Sequence, residues 1–142
     1  MYFSLTPEER NYFLNQVDII LNIDETASNI SKVSYFTIKV KQSTLFEENI
    51  LEGRLIKYDN FLVIQEFKPT QYCQLLHHVG LFEVLCYESI KKLKEFALLY
   101  SQKKLRIFST NSVIINQLFE HKAKLEKINA TNVTEVLAKL EL

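Results

Sequence analysis

Two stretches of this chain, Ile50 to Lys57 and Phe61 to Phe67, are rich in β-branched, aromatic and leucine side chains and flank the turn sequence Tyr58-Asp59-Asn60. Runs of this kind around a short polar turn predict a β-hairpin. Side chains alternate across a strand, so Leu62, Ile64 and, at the strand's end, Glu66 share one face. Phe61, Val63, Gln65 and Phe67 share the other. Both faces carry apolar residues, which predicts cover on both sides. A lone hairpin is marginal in water, so the rest of the chain must build a sheet and pack helices on it.

The rest of the sequence supplies such elements. Thr6 can cap a first helix, with Pro7 at its first position and Glu9 closing a capping box. Phe13, Val17, Ile20 and Leu21 then recur at helical spacing and predict a helix running to about Asn22. Asp24 to Lys32 reads as a loop, and Val33 to Val40 as a strand. Thr70 to Val79 reads as a short helix broken at Gly80. Leu81 to Tyr87 fits a buried strand or the start of the next helix. Glu88 to Lys103 is amphipathic, with Ile90, Leu93, Ala97 and Tyr100 as its apolar stripe, widened by Phe96 and Leu99. Leu105 to Phe108 reads as a strand. Ser109, Thr110 and Asn111 start a helix whose Ile114, Ile115, Leu118 and Phe119 face inward. Leu125 to Ile128 reads as an edge strand. Asn132 and Glu135 form a capping-box pattern ahead of a closing helix with Val133, Val136, Leu137 and Leu140. The expected architecture is α/β: a mixed sheet with an N-terminal helix, a β-hairpin, then alternating helices and strands. Residues 1–142 read as one domain, with 1–32 an N-terminal helix and loop and 33–142 the sheet and its packing helices.

Composition narrows the function classes. Lys plus Arg equals Asp plus Glu at 17 each, so the chain lacks the basic excess of a dedicated nucleic-acid binder. It holds two glycines, Gly53 and Gly80, far apart. Gly-rich loops let backbone approach phosphate closely, and none can be written here. The two cysteines, Cys73 and Cys86, imply a reducing compartment and not a disulfide framework. The N-terminus lacks a basic start and a long apolar run, and no stretch has the roughly 18 apolar residues of a membrane span. The expectation is a cytoplasmic protein without membrane contact. The Asn-x-Ser/Thr triplets at Asn29, Asn129 and Asn132 then carry no sugar.

Few side chains suggest chemistry. Glu66-Phe67-Lys68 resembles the end of the motif of the PD-(D/E)xK nucleases, in which carboxylates hold Mg²⁺ and the lysine stabilises water or phosphate. Glu66 and Lys68 point the same way, Gln71 would stand at the following helix, and Glu52 or Asp59 could supply the second carboxylate. Neither follows a proline, and Asp59 belongs to the turn. The competing reading is a surface ion pair at a strand end. Cys73 and His77 stand one helical turn apart. A metal site would need Cys86 or His121 to join them, and adjacent His77 and His78 cannot chelate one ion from a regular helix. A Cys–His nucleophile fails because Cys73 falls within a helix and no histidine can be assigned to Cys86. We therefore expect no metal, no cofactor and no catalytic set. Lys91, Lys92, Lys94, Lys103, Lys104 and Arg106 gather around one helix and read as a solvated face or a docking patch for an acidic partner.

From about Ile50 onward the order of elements resembles the STAS domain of anti-sigma-factor antagonists and sulphate-transporter tails. Lys104-Leu105-Arg106-Ile107-Phe108-Ser109 is similar to its penultimate strand, Asn111 to Phe119 to the helix after it, and Thr131 to Leu140 to its closing helix. The junction that carries that family's Asp-Ser-Ser-Gly phosphorylation motif reads Cys86-Tyr87-Glu88-Ser89-Ile90 here, leaving Ser89 as the matching hydroxyl. The resemblance implies a non-catalytic module that docks another protein through Ser89, Lys91, Lys92 and Lys94. A Mg²⁺-dependent nuclease using Glu66 and Lys68 and a small immunity or inhibitor protein are the alternatives.

Overall fold

The computed structural model describes residues 5–24, 33–42, 46–58, 61–99, 104–129 and 135–141. The chain runs through helix α1 (Pro7–Gln16) and strands β1 (Asp18–Asp24), β2 (Val33–Gln42), β3 (Phe46–Lys57) and β4 (Phe61–Pro69). Helix α2 (Gln71–Leu75) follows, then a 3-10 turn (Leu76–Val79) and the long helix α3 (Leu81–Leu99). Strand β5 (Lys104–Ser109), helix α4 (Ser112–Glu120) and strands β6 (Lys124–Asn129) and β7 (Glu135–Glu141) complete it. The strands form one seven-stranded mixed sheet in the order β1-β2-β3-β4-β5-β7-β6. Every neighbouring pair is antiparallel except β4 and β5, which run parallel around the α3 crossover. The expected α/β class with a mixed sheet is the one observed.

Local signals act where they were read. Thr6 Oγ1 accepts from Glu9 N at 3.2 Å and Glu9 Oε1 accepts from Thr6 N at 3.0 Å, completing the capping box. The hairpin pairs Lys57 with Leu62 and Leu55 with Ile64. Leu62, Val63 and Ile64 are all buried. Gly80 adopts φ 76°, the left-handed geometry glycine takes without strain, and α3 starts directly after it. Asn111 Oδ1 accepts from the backbone N of Val113 and Ile114 and starts α4.

Three expectations are corrected, and the choice left open for Leu81 to Tyr87 is settled in favour of helix α3. The first helix ends at Gln16, and Asp18–Asp24 is a strand, paired with β2 from Asp18↔Lys41 to Asp24↔Tyr35. Ile19, Leu21 and Ile23 alternate as well as Val17, Ile20 and Leu21 recur, and pairing along a whole strand edge decides between the two periods. Phe119 is exposed on α4, whose buried residues are Ile114 and Leu118. The closing segment is a strand: β7 inserts between β5 and β6 and is hydrogen-bonded to both, with Leu140 buried. Val136, Ala138 and Leu140 fit a strand period as well as a helical one. Filling the open edge of β5 decides it, a non-local term that no window of sequence contains. Asn132, its expected cap, lies outside the described residues, as do Asp59, Tyr100 and Lys103 and the loop residues from 25 to 32.

One core joins the elements. Ile38, Leu51, Leu55, Leu62, Ile64, Leu105 and Ile107 of the sheet meet Leu85, Ile90, Leu93 and Ala97 of α3 and Ile114 and Leu118 of α4. Alternate residues of β2, β3 and β4 turn to the opposite face of the sheet, where Tyr35, Glu66 and Lys68 are exposed. No helix among the described residues is long and apolar enough to cross a membrane.

Candidate functional site

Strands β3 and β4 lose register between Glu52 and Arg54, where Glu52 pairs with Lys68 but Arg54 pairs with Gln65. Glu66 carries the extra backbone at φ 53°. A left-handed glutamate costs about 1–3 kcal/mol and persists because the surrounding pairs fix it. The bulge needs Gly53 opposite: a Cβ there would stand 2.9 Å from the Phe36 ring and 3.2 Å from the Gln65 carbonyl oxygen.

On the outward face the bulge opens a cleft of about 260 Å³, lined by Tyr35, Phe36, Thr37, Glu52, Gly53, Arg54, Glu66 and Lys68. Two carboxylates and two cations ring it. Lys68 Nζ lies 3.9 Å from Glu52 Oε1, and Arg54 Nε lies 3.5 Å from Glu66 Oε2. Arg54 Nη2 donates to Gln65 Oε1 at 3.1 Å, while its buried Nε has no completed hydrogen bond among the described residues. The structure brings Glu52, Glu66 and Lys68 together, but on the face opposite Leu62 and Ile64. The bulge at Glu66 breaks the expected alternation, which put Glu66 with those two residues and Phe67 with Val63, and turns Phe67 into the core instead. Arg54, which completes the set, is visible in sequence only once the register is known. Gln71 opens α2 and does not line the cleft.

The same stretch of β4 borders a second feature. The parallel β4–β5 ladder runs from Phe61↔Lys104 to Ile64↔Ile107 and stops there, although β4 continues to Pro69. Beyond it Ser109 Oγ donates to the Phe67 carbonyl at 3.0 Å and accepts from Asn111 N at 3.2 Å, so a side chain spans the two strands where backbone pairing has ended. Helix α3, which connects β4 to β5, starts from left-handed Gly80.

The remaining candidates do not form sites. Cys73 and Cys86 are buried; burial, with Glu83 nearby, pushes the Cys73 thiol up to about 12, and burial pushes that of Cys86 up as well. Neither is a nucleophile at neutral pH. His77 Nδ1 bonds Glu83 Oε1, and the stacked rings of Tyr87 and His121 join α3 to the end of α4. Among the described residues no three His, Cys, Asp or Glu side chains converge to hold a metal. Ser89, the expected docking hydroxyl, is fully buried and donates to the Leu85 carbonyl at 2.6 Å, so it cannot meet a partner. Lys91 and Lys92 are exposed, Lys92 beside Glu95, and Lys94 is half-buried.

No protein-family model and no curated protein sequence matches the chain. Solved structures do. The spermidine/spermine N-acetyltransferase SpeG of Vibrio cholerae, in mutant forms, aligns over 99% of this chain and 92% of its own at TM-score 0.55 and 10% identity. A Bacillus subtilis acetyltransferase in complex with CoA aligns over 88% of this chain and 99% of its own at TM-score 0.50 and 13% identity. A domain from Methanocaldococcus jannaschii aligns over the whole chain and 97% of its own at TM-score 0.57 and 10% identity. The STAS comparison is overturned: these neighbours include GNAT acetyltransferases and no STAS domain, and β2, which that comparison left unexplained, is an interior strand paired on both sides. The reading as a non-catalytic, STAS-like docking module goes with it, as do its nuclease and immunity-protein alternatives. What the likeness establishes is the fold, and that fold is the one GNAT acetyltransferases have.

Proposed function

We propose that the chain is an N-acyltransferase that moves an acyl group from a thioester of coenzyme A to an amine, at β4 beyond Ile64. The observation that supports this best is the bulge at Glu66. It puts a cleft with carboxylates on one side of β4 and an end to parallel pairing on the other, within a few residues.

Coenzyme A carries a pyrophosphate, which needs N–H donors or cations. The connection from Thr70 to Glu83 holds no Lys or Arg and one glycine. It offers the first turn of the long helix α3, entered through Gly80, with His77 and His78 in the turn before. Glu83 stands in that same turn, bonded to His77, and its charge opposes a phosphate. This set fits a pyrophosphate through backbone and imidazole, without a Gly-rich cradle, and predicts modest affinity.

Bound there, the thioester supplies an activated acyl carbon. The protein's own residues supply the rest. An amine enters the cleft as an ammonium ion and pairs there with Glu52 or Glu66. Nucleophilic attack needs the neutral amine, so a proton must leave the nitrogen, and Glu66, at the bulge, accepts it directly or through water. To the carbonyl oxygen on which negative charge develops we assign a backbone N–H of β4 past Ile64, where the β5 ladder has ended. Transfer runs directly from thioester to amine, because both cysteines are buried thiols with no thiolate to carry the acyl group.

Incubation with acetyl-CoA and a panel of amines, followed by mass spectrometry, tests the reading. We expect an acetylated amine and free thiol, with Glu66→Gln slowing the rate by about 10²-fold or more. Absence of product with every amine, or a rate that Glu66→Gln leaves unchanged, contradicts it.

A further inference from the structure

We infer that the amine acceptor is a zwitterion, a free amino acid carrying an apolar side chain. The inference deepens the acyltransferase reading by naming the substrate class of its cleft. A site for a polyamine would be ringed by carboxylates alone. This one alternates charge: Glu52 with Lys68 across one side of the gap over Gly53, and Glu66 with Arg54 across the other. Its formal charge is zero, so it does not concentrate simple cations, but it complements a ligand bearing one ammonium and one carboxylate.

The ion pairs themselves are poised for exchange. At 3.9 and 3.5 Å they are long, and their side chains are 35–61% exposed. Exposed pairs of this kind contribute little to stability, so a ligand that replaces both costs the fold little. The buried Arg54 Nε–H lacks a completed hydrogen bond, and an incoming carboxylate can satisfy it with a charge-assisted one. The ammonium then falls to Glu52 and to Glu66, the proton acceptor of the proposed reaction. Gly53 leaves the lining without a side chain and exposed Tyr35 forms an aromatic wall, so the ligand's side chain meets an aromatic surface. The volume of about 260 Å³ suits a ligand of amino-acid size and is small for a folded segment of another protein.

The test measures binding without an acyl donor, so it stands apart from the catalytic reading. L-leucine, its decarboxylated counterpart isoamylamine and its deaminated counterpart isocaproate are titrated into the full chain by calorimetry or NMR. The expected result is L-leucine binding at least about ten-fold tighter than either counterpart, about 1.4 kcal/mol. Arg54→Gln should abolish the preference over isoamylamine, and Glu66→Gln the preference over isocaproate. A melting curve on each variant confirms that it folds. Isoamylamine binding as well as L-leucine, no binding of L-leucine, or a preference that survives both substitutions overturns the inference. Acetylation of simple amines alongside that result would leave the acyltransferase reading intact and remove only the zwitterion.

Discussion

The two faces of the β3–β4 hairpin are one residue apart in sequence and opposite in physics. Inward, Leu51, Leu55, Leu62, Ile64 and Phe67 are buried against the helices. Outward, Glu52, Arg54, Glu66 and Lys68 ring an open cleft with loosely paired charges. The inner face holds the fold, because each apolar side chain removed from water contributes about 1.5–3 kcal/mol. The outer face contributes little to stability, and that leaves it available for a ligand. The bulge at Glu66 connects them. It keeps Phe67 in the core while shifting the outward register, so a backbone irregularity fixed by packing on one side shapes the site on the other.

The contrast can be broken most severely from inside. Ile64→Ala should destabilise the protein by about 2–5 kcal/mol, read as a lower denaturant midpoint. Gly53→Ala acts on both faces at once. Its Cβ meets the Phe36 ring at 2.9 Å, so we expect a loss of about 1–3 kcal/mol together with weakened ligand binding. Lys68→Met sharpens the comparison: stability should change by less than about 1 kcal/mol in a thermal melt, while the cleft loses a cation. A cost like that of Ile64→Ala would mean the outer face is structural.

The smallest effect is one of pH. Burial holds His121 below its usual value near 6.5, with Lys94 and Lys91 adding to the depression against the Tyr87 carbonyl and Glu88. The folded state therefore binds this proton less readily than the unfolded one. The stability that follows is present above pH 6.5 and is lost as pH falls through the folded value. Melting temperatures taken on either side of pH 6.5 should fall toward acid, and His121→Gln should flatten that slope.

Legibility in the sequence followed the range of the deciding interaction. Thr6, Pro7 and Glu9 start α1 and Asn111 starts α4, because caps are settled within a few residues. Glu135 to Leu140 and Asp18 to Asn22 read as helix from sequence because their apolar spacing fits both periods. What decides is a partner strand far along the chain: β5 and β6 for one, β2 for the other. The site was half legible. Strand alternation puts Glu66 and Lys68 on one side, with Glu52 as a candidate partner, but it makes that the side of Leu62 and Ile64; the bulge is what turns them outward. Arg54, the role of Gly53 and the break in the β4–β5 ladder depend on the register across strands. Ser89 shows the converse, a hydroxyl singled out by motif that the helix interior consumes.

The most direct test of the account is an amide NMR titration of the full chain with acetyl-CoA. The account predicts saturable shifts concentrated at Gln65 to Lys68, Gly80 to Glu83 and Ser109, with few elsewhere. Shifts confined to a different surface, such as the cleft between Asn11, Asp18 and Lys92, or no shifts at any concentration, would contradict it.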